Sequence, residues 1–229
     1  MNKVFVDLEM HPVSREHEQE RNIFKFETIE IGAVMLDEEL HEAKSFCEYV
    51  KPRFSEEILP RYEELTGIST KMLENAESFP SVLERFVDWC GENYTVYSWS
   101  KTDLCQIRGE CKLKQIEPDE SLTYMLRHWQ DFQKEFSRLV GIHHPIKLEE
   151  AVGLGGLDFD GRAHDGLVDA RNTANLYRQT RDRKMFQKLK SMISEKENPL
   201  VFSMGDIFNF AELHLENIPP EDIRPEDER

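Results

Sequence analysis

No hydrophobic run in this sequence is long enough to cross a membrane. Its opening residues, Met1-Asn2-Lys3-Val4-Phe5-Val6-Asp7, turn acidic before a secretory apolar region could form. A membrane protein and a cleaved secretory leader are therefore not expected, and a cytoplasmic location is. Cysteine is scarce: Cys47, Cys90, Cys105 and Cys111 include no Cys-x-x-Cys unit, so no zinc template is met and the thiols read as small core residues of a reducing compartment. Basic residues are outnumbered, 29 Lys and Arg against 45 Asp and Glu, for a net charge of −16. A surface of that sign repels nucleic acid as a whole, which excludes a generally basic coat protein. It leaves open an enzyme that handles phosphates through metal ions, because such a site is itself acidic before the metals arrive. Internal repeats and low-complexity tracts are also lacking.

What is present suits one compact domain followed by a tail: 229 residues, 39% of them hydrophobic. Val4 to Met10 predicts a strand with Val4, Val6, Leu8 and Met10 on one side and Phe5, Asp7 and Glu9 on the other. Residues His11 to Arg21 are almost wholly polar and predict a loop. Ile29 to Leu36 and Ser45 to Val50 predict two further strands, giving an antiparallel meander. Beyond Pro52 the pattern changes to helices alternating with short strands. Val82, Leu83, Phe86, Val87 and Cys90 recur at helical spacing, Thr95 to Ser100 is rich in strand formers, and Asp103 opens another helical stretch. Phe132 to Val140, closed by Gly141, and Leu148 to Leu154 predict helices, and Asp165 to about Leu189 predicts a long one. A meander followed by β-α units predicts an α/β fold, a mixed sheet with helices on both faces.

The expected domain boundary is between residues 193 and 194. Residues 194–229 carry ten acids and three bases and read as an acidic tail. Within it, Leu200-Val201-Phe202 and Ile207-Phe208-Asn209-Phe210 form an apolar segment able to dock on the body or on a partner protein.

Asp7 and Glu9 point the same way from a largely apolar strand, which suits a metal site, or else carboxylates that cap the next loop or pair with Lys or Arg. Asp103 reads alone as a helix N-cap, but a strand Thr95 to Ser100 lying beside the first would bring it near Asp7 and Glu9. Asp165 reads as the N-cap of the long helix, with His164 just before it and Asp169 about one turn inside. Five positions apart, His164 and Asp169 share no helix face and converge only if His164 lies on the preceding loop; otherwise His164 is an ordinary solvated histidine. Residues 171–190 hold seven bases and one acid, among them Arg178, Arg181 and Lys184, which fits a cationic track or a solvated helix face. Tyr97 and Trp99 fit base stacking or core packing.

Taken together, Asp7-x-Glu9, Asp103, and His164 with Asp169 resemble the three motifs of the DEDDh exonuclease family, which has a ribonuclease H-like fold. Glu27 to Val34, Leu65-Thr66-Gly67-Ile68, Gly161-Arg162-Ala163-His164 and Asp169 to Ala174 extend the resemblance over about residues 3 to 180. Tyr97 to Asp103 and Trp129 to Phe136 look most like the exoribonuclease branch that trims histone messenger and small RNAs and includes the KapD-like bacterial proteins. The resemblance implies that Asp7, Glu9, Asp103 and Asp169 hold two divalent ions, Mg²⁺ or Mn²⁺, and that His164 is the catalytic base. It also implies 3′-to-5′ removal of nucleoside 5′-monophosphates from single-stranded nucleic acid, RNA ahead of DNA. Met10 stands where the family usually carries Thr or Ala, at a position whose backbone helps hold the 3′ nucleotide. Substrate contacts are thus expected from Met10, Trp99, Arg178, Arg181 and Lys184. A DNA-trimming exonuclease, or a regulatory scaffold that binds a protein partner through its tail, are the competing expectations.

Overall fold

Each strand of the central sheet is placed by what its two faces bury. The computed structural model describes residues 1–55 and 57–196. In chain order the elements are β1 (Asn2–Pro12), α1 (Glu18–Ile23), β2 (Phe26–Leu36), β3 (Glu42–Lys51), α2 (Pro60–Thr66), α3 (Thr70–Leu73), β4 (Glu77–Ser78) and α4 (Phe79–Cys90). They continue with β5 (Tyr94–Ser98), α5 (Thr102–Leu113), α6 (Glu120–Arg127), β6 (Trp129–Asp131), α7 (Phe132–Val140), α8 (Leu148–Leu154), α9 (Gly166–Arg181) and α10 (Arg183–Lys196). The strands form one mixed sheet in the order β4-β3-β2-β1-β5-β6. The first three strands make the expected antiparallel meander, and β5 runs parallel to β1.

Alternation along β1 separates two cores. Val4, Val6 and Leu8 enter one with Phe79, Val82 and Phe86 of α4 and Ile107 of α5. Phe5, on the opposite side, joins Val34, Phe132, Phe136, Val152, Ala174 and Tyr177, supplied by β2, α7, α8 and α9. Helices therefore cover both faces, and α9 lies on the face that β1 gives to Phe5, Asp7 and Glu9.

A close approach holds α9 against the sheet. A Cβ on Gly32 of β2 would lie 2.0 Å from the carbonyl carbon of Gly166, the first residue of α9. Only a strand and a helix that both lack side chains here can touch backbone to backbone.

Several expectations are corrected. β1 continues to Pro12, so His11 and Pro12 belong to the strand and not to a loop, and α1 fills part of the polar stretch. The long helix is two helices, because Asp182 adopts an extended backbone and its Oδ1 accepts from the N–H groups of Lys184 and Met185, starting α10 afresh. α10 runs through Ser194 to Lys196, so the expected boundary falls inside a helix. The apolar segment between Leu200 and Phe210 lies outside the described residues. Among the described residues, no helix is long and apolar enough to cross a membrane.

Replacing Gly32 with Ala is expected to lower the unfolding free energy by about 3 kcal/mol, the upper end of overpacking costs, measured by urea denaturation. A loss below about 0.5 kcal/mol would show that α9 slides away from the sheet at little cost.

Candidate metal centre

The acidic pit is assembled where the first turns of α5 and α9 meet the body of β1. Asp7 and Glu9 emerge from β1 on one face, two residues apart; Glu9 is buried and Asp7 half-buried. The β1–β2 ladder shifts register here, since Glu9 pairs with Glu30 while Met10 pairs with Thr28, and such bulges re-aim the side chains beside them. β5 pairs with β1 only as far as Phe5 opposite Tyr97, so the edge of β1 beyond it is open. Asp103, in the first turn of α5, fills that opening: its Oδ1 accepts the Leu8 N–H at 3.1 Å. Asp103 is thus not the helix N-cap; Lys101 holds that position, and the Ser100 hydroxyl accepts the Thr102 N–H. An unpaired strand N–H needs an acceptor, and a buried carboxylate supplies it.

The third element is the start of α9. The carboxylate of Asp165 caps the helix by accepting from the Val168 N–H at 3.0 Å. Asp169, one turn in and 8% exposed, accepts the His164 N–H through Oδ2 at 3.0 Å. His164 lies on the loop before the helix, with φ of 63°. This left-handed turn brings the histidine and Asp169 together although no helix face could. Glu9, His164 and Asp169 each offer a ligand atom, and these atoms lie within 4.8 Å of one another. Asp169 Oδ1 is buried with no hydrogen-bond partner among the described residues.

Electrostatics distinguish this cluster from a set of caps. Burial, then the charges of Asp103, Asp169, Glu9 and Glu30, hold the Asp7 carboxyl well above the usual carboxylate range. Burial also raises Glu9, with Asp169 as its strongest charged neighbour. Asp103 and Asp169 are each pushed up to about 7, chiefly by burial, although the Leu8 and His164 N–H groups oppose the shift. Burial lowers His164, so the imidazole is neutral at neutral pH. Clustered carboxylates with an orphaned buried oxygen suit hard divalent cations, which take oxygen donors and cancel the repulsion.

Sequence reasoning missed Glu30. This β2 residue is 3% exposed; its Oε2 accepts the Gly166 N–H at 3.2 Å and its Oε1 the Cys47 thiol at 3.1 Å. It steadies the first N–H of α9 with a negative charge and adds to the field on Asp7 and Glu9. Its one local signal was an acid inside the otherwise apolar run Ile29 to Leu36.

Most expected substrate contacts do different work. Trp99 is 8% exposed, donates its indole N–H to the Ile146 carbonyl and packs against Phe132 and Phe136, so it is a core residue. Tyr97 stacks on Phe5 and meets Tyr177 in the same core. Arg178 donates to the Leu40 carbonyl and to Asn175, while Arg181 pairs with Glu135 over the Tyr177 ring. These arginines fasten α9 to its neighbours instead of forming an open track. Lys184 is exposed on α10. Met10 is half-buried at the bulge and packs toward the core of β1 and α4.

A sequence model of a family described as Exonuclease matches residues 4–177. The human protein named 3'-5' exoribonuclease 1 is 27% identical over 165 residues, which are 67% of this chain and 46% of that one. The chain therefore spans about half the length of this curated relative. The solved nuclease domain of 3'hExo, described as a DEDDh family member bound to rAMP, superposes with a TM-score of 0.68 at 23% identity, covering 78% of this chain and 90% of that one. The Mg²⁺- and Mn²⁺-bound form of Pop2p from S. pombe superposes with a TM-score of 0.58 at 19% identity, over 79% and 83% of the two chains. These likenesses establish the ribonuclease H-like fold of the DEDDh nucleases.

The raised carboxylates set a pH dependence of stability. Asp103 and Asp169 bind protons more tightly folded than unfolded, so their contribution is complete below about pH 4 and is lost as pH rises through about 7. In EDTA the melting temperature is expected to fall between pH 5 and pH 8, and in saturating Mg²⁺ that decline should flatten. An equal decline in both buffers would mean the pit does not bind the ion.

Proposed function

The chain belongs to the exonuclease family, and on that premise we propose that it is a metal-dependent 3′-to-5′ exonuclease of single-stranded nucleic acid, RNA in preference to DNA. The observation that carries the reading is the convergence of Glu9, Asp169 and His164 within 4.8 Å in a pit of mutually repelling carboxylates. Asp7, Glu9, Asp103 and Asp169 would hold two divalent ions, Mg²⁺ or Mn²⁺. When bound, such ions supply a more acidic attacking water and neutralise charge on the departing 3′ oxygen. The names of the relatives support RNA as the substrate.

The remaining work falls to the chain itself. The carboxylates on β1, α5 and α9 fix where the scissile phosphate must sit, because each is held by backbone packing or by a hydrogen bond before substrate arrives. His164, kept neutral by burial, takes the proton of the attacking water at its ring nitrogen. The scissile bond is the one joining the terminal nucleotide's 5′ phosphate to the preceding 3′ oxygen. Its hydrolysis releases a nucleoside 5′-monophosphate and leaves a 3′-hydroxyl for the next round.

With 3′-labelled RNA and Mg²⁺, label is expected to appear first as mononucleotide, whereas 5′-labelled RNA should shorten stepwise; early mononucleotide from the 5′ label would refute the direction. A deoxyribo-oligomer degraded faster than its ribo-counterpart would refute the RNA preference. His164→Ala should lower kcat by about 10² to 10⁴-fold with metal binding retained. With metal saturating, the wild-type rate should climb with pH on the acid side of 6.5 and then level, since burial lowers the histidine from that value. The variant should lack this limb.

A further inference from the structure

Two motifs, Leu65-Thr66-Gly67-Ile68 and Gly161-Arg162-Ala163-His164, supply the base His164 and none of the four carboxylates, yet the fold joins them. α2 ends at Thr66, and Gly67 closes it in the left-handed region at φ of 77°. Carbonyls in the last turn of a helix have no partner within it and favour a cation. Arg162 reaches across from the loop before α9 and supplies one: its Nη2 donates to the Leu65 carbonyl at 3.1 Å and to the Glu64 carbonyl. A Cβ on Gly67 would lie 2.4 Å from Arg162 Nη1, so the guanidinium lies where any other residue would put its side chain.

α2 is also tied to the strand that carries Asp7 and Glu9. His11, 2% exposed at the end of β1, accepts the Leu59 N–H through Nε2 at 3.0 Å, and its ring meets Tyr62 edge-on at 5.1 Å. One short helix is therefore fastened to the metal-ligand strand at its start and to the histidine loop at its end. On the α9 side the same loop is held by Asp160 and Asn172, which exchange hydrogen bonds, and by the His164 N–H on Asp169. Between those ties His164 sits at φ of 63°, a conformation that costs a non-glycine residue energy and persists only when its surroundings impose it.

We infer that Arg162 is a positioning residue: by capping α2 it holds the loop in the turn that aims the His164 ring at the carboxylate pit. The inference rests on the exonuclease reading for the role of His164. Arg162 is exposed and belongs to none of the hydrophobic clusters, so its loss is expected to leave the fold in place.

The test is Arg162→Ala assayed on a 3′-labelled oligoribonucleotide with Mg²⁺. Loss of alignment should lower kcat by about 10 to 100-fold with KM within about threefold. Millimolar guanidinium chloride should restore part of the rate, and equal NaCl should not. In a His164→Ala background the same change should cost nothing further, because the two residues act as one unit. Amide hydrogen exchange at residues 160–164 should quicken in Arg162→Ala, which tests the latch without reference to activity. A raised KM at unchanged kcat would make Arg162 a phosphate contact and overturn the proposal, as would unaltered exchange in the loop. If the wild type cleaves no nucleic acid while exchange quickens in the variant, the nuclease reading fails and the latch stands.

Discussion

The site depends on a place where two backbones touch. Gly32 in the middle of β2 and Gly166 at the start of α9 leave no room for a Cβ between sheet and helix. Because α9 begins against the sheet, Asp169 one turn later lies over the face of β1 that presents Asp7 and Glu9. A Cβ at Gly32 would force the helix start away from the sheet, and one at Gly166 would press on the Asp7 carbonyl at 3.0 Å. The Glu30 carboxylate on the Gly166 N–H secures the same junction with a hydrogen bond and a charge at the positive end of the helix.

That arrangement gathers acids that resist being gathered. Asp7, Glu9, Asp103 and Asp169 are all held above their ordinary range, and burial is the largest cause for each. The strands and helices that carry them are packed into the two cores on either side of β1, which holds the acids in place against their repulsion. A site prepared in this way would gain from a bound cation twice, through coordination and through relief of the repulsion between neighbours.

A second buried charge network stands next to the site and has the opposite character, for it is paired. Lys114 bridges Glu27 and Glu110 at 3.0 and 2.7 Å, with each side chain at most 4% exposed. Glu27 also accepts the N–H groups of Arg53 and Phe54, and Glu110 those of Thr28 and Gln106. The network thereby pins the start of β2 at the bulge and the chain that leads from β3 toward α2. Breaking one member would strand a buried charge, so it acts as a rigid frame for the segment that reaches both His11 and Arg162.

Whatever rests on local period and on chemistry within a few residues was legible along the chain. The alternation that puts Asp7 and Glu9 on one face, the antiparallel meander, the Asp165 cap and the need for His164 to lie on a loop are of this kind. The tertiary structure alone decided partners far apart in the chain. Asp103 serves the Leu8 N–H 95 residues away instead of its own helix, Glu30 reaches Gly166 across 136 residues, and Arg178 is used by the Leu40 carbonyl 138 residues back. Trp99 and Arg181 looked free for substrate because their owners, Ile146 and Glu135, belong to other segments. The break at Asp182 was hidden in a basic stretch whose composition favours helix throughout. Period fixes the face a residue presents, but which group meets that face depends on how sheet and helices close on one another, and here two glycines 134 positions apart in the numbering decide it.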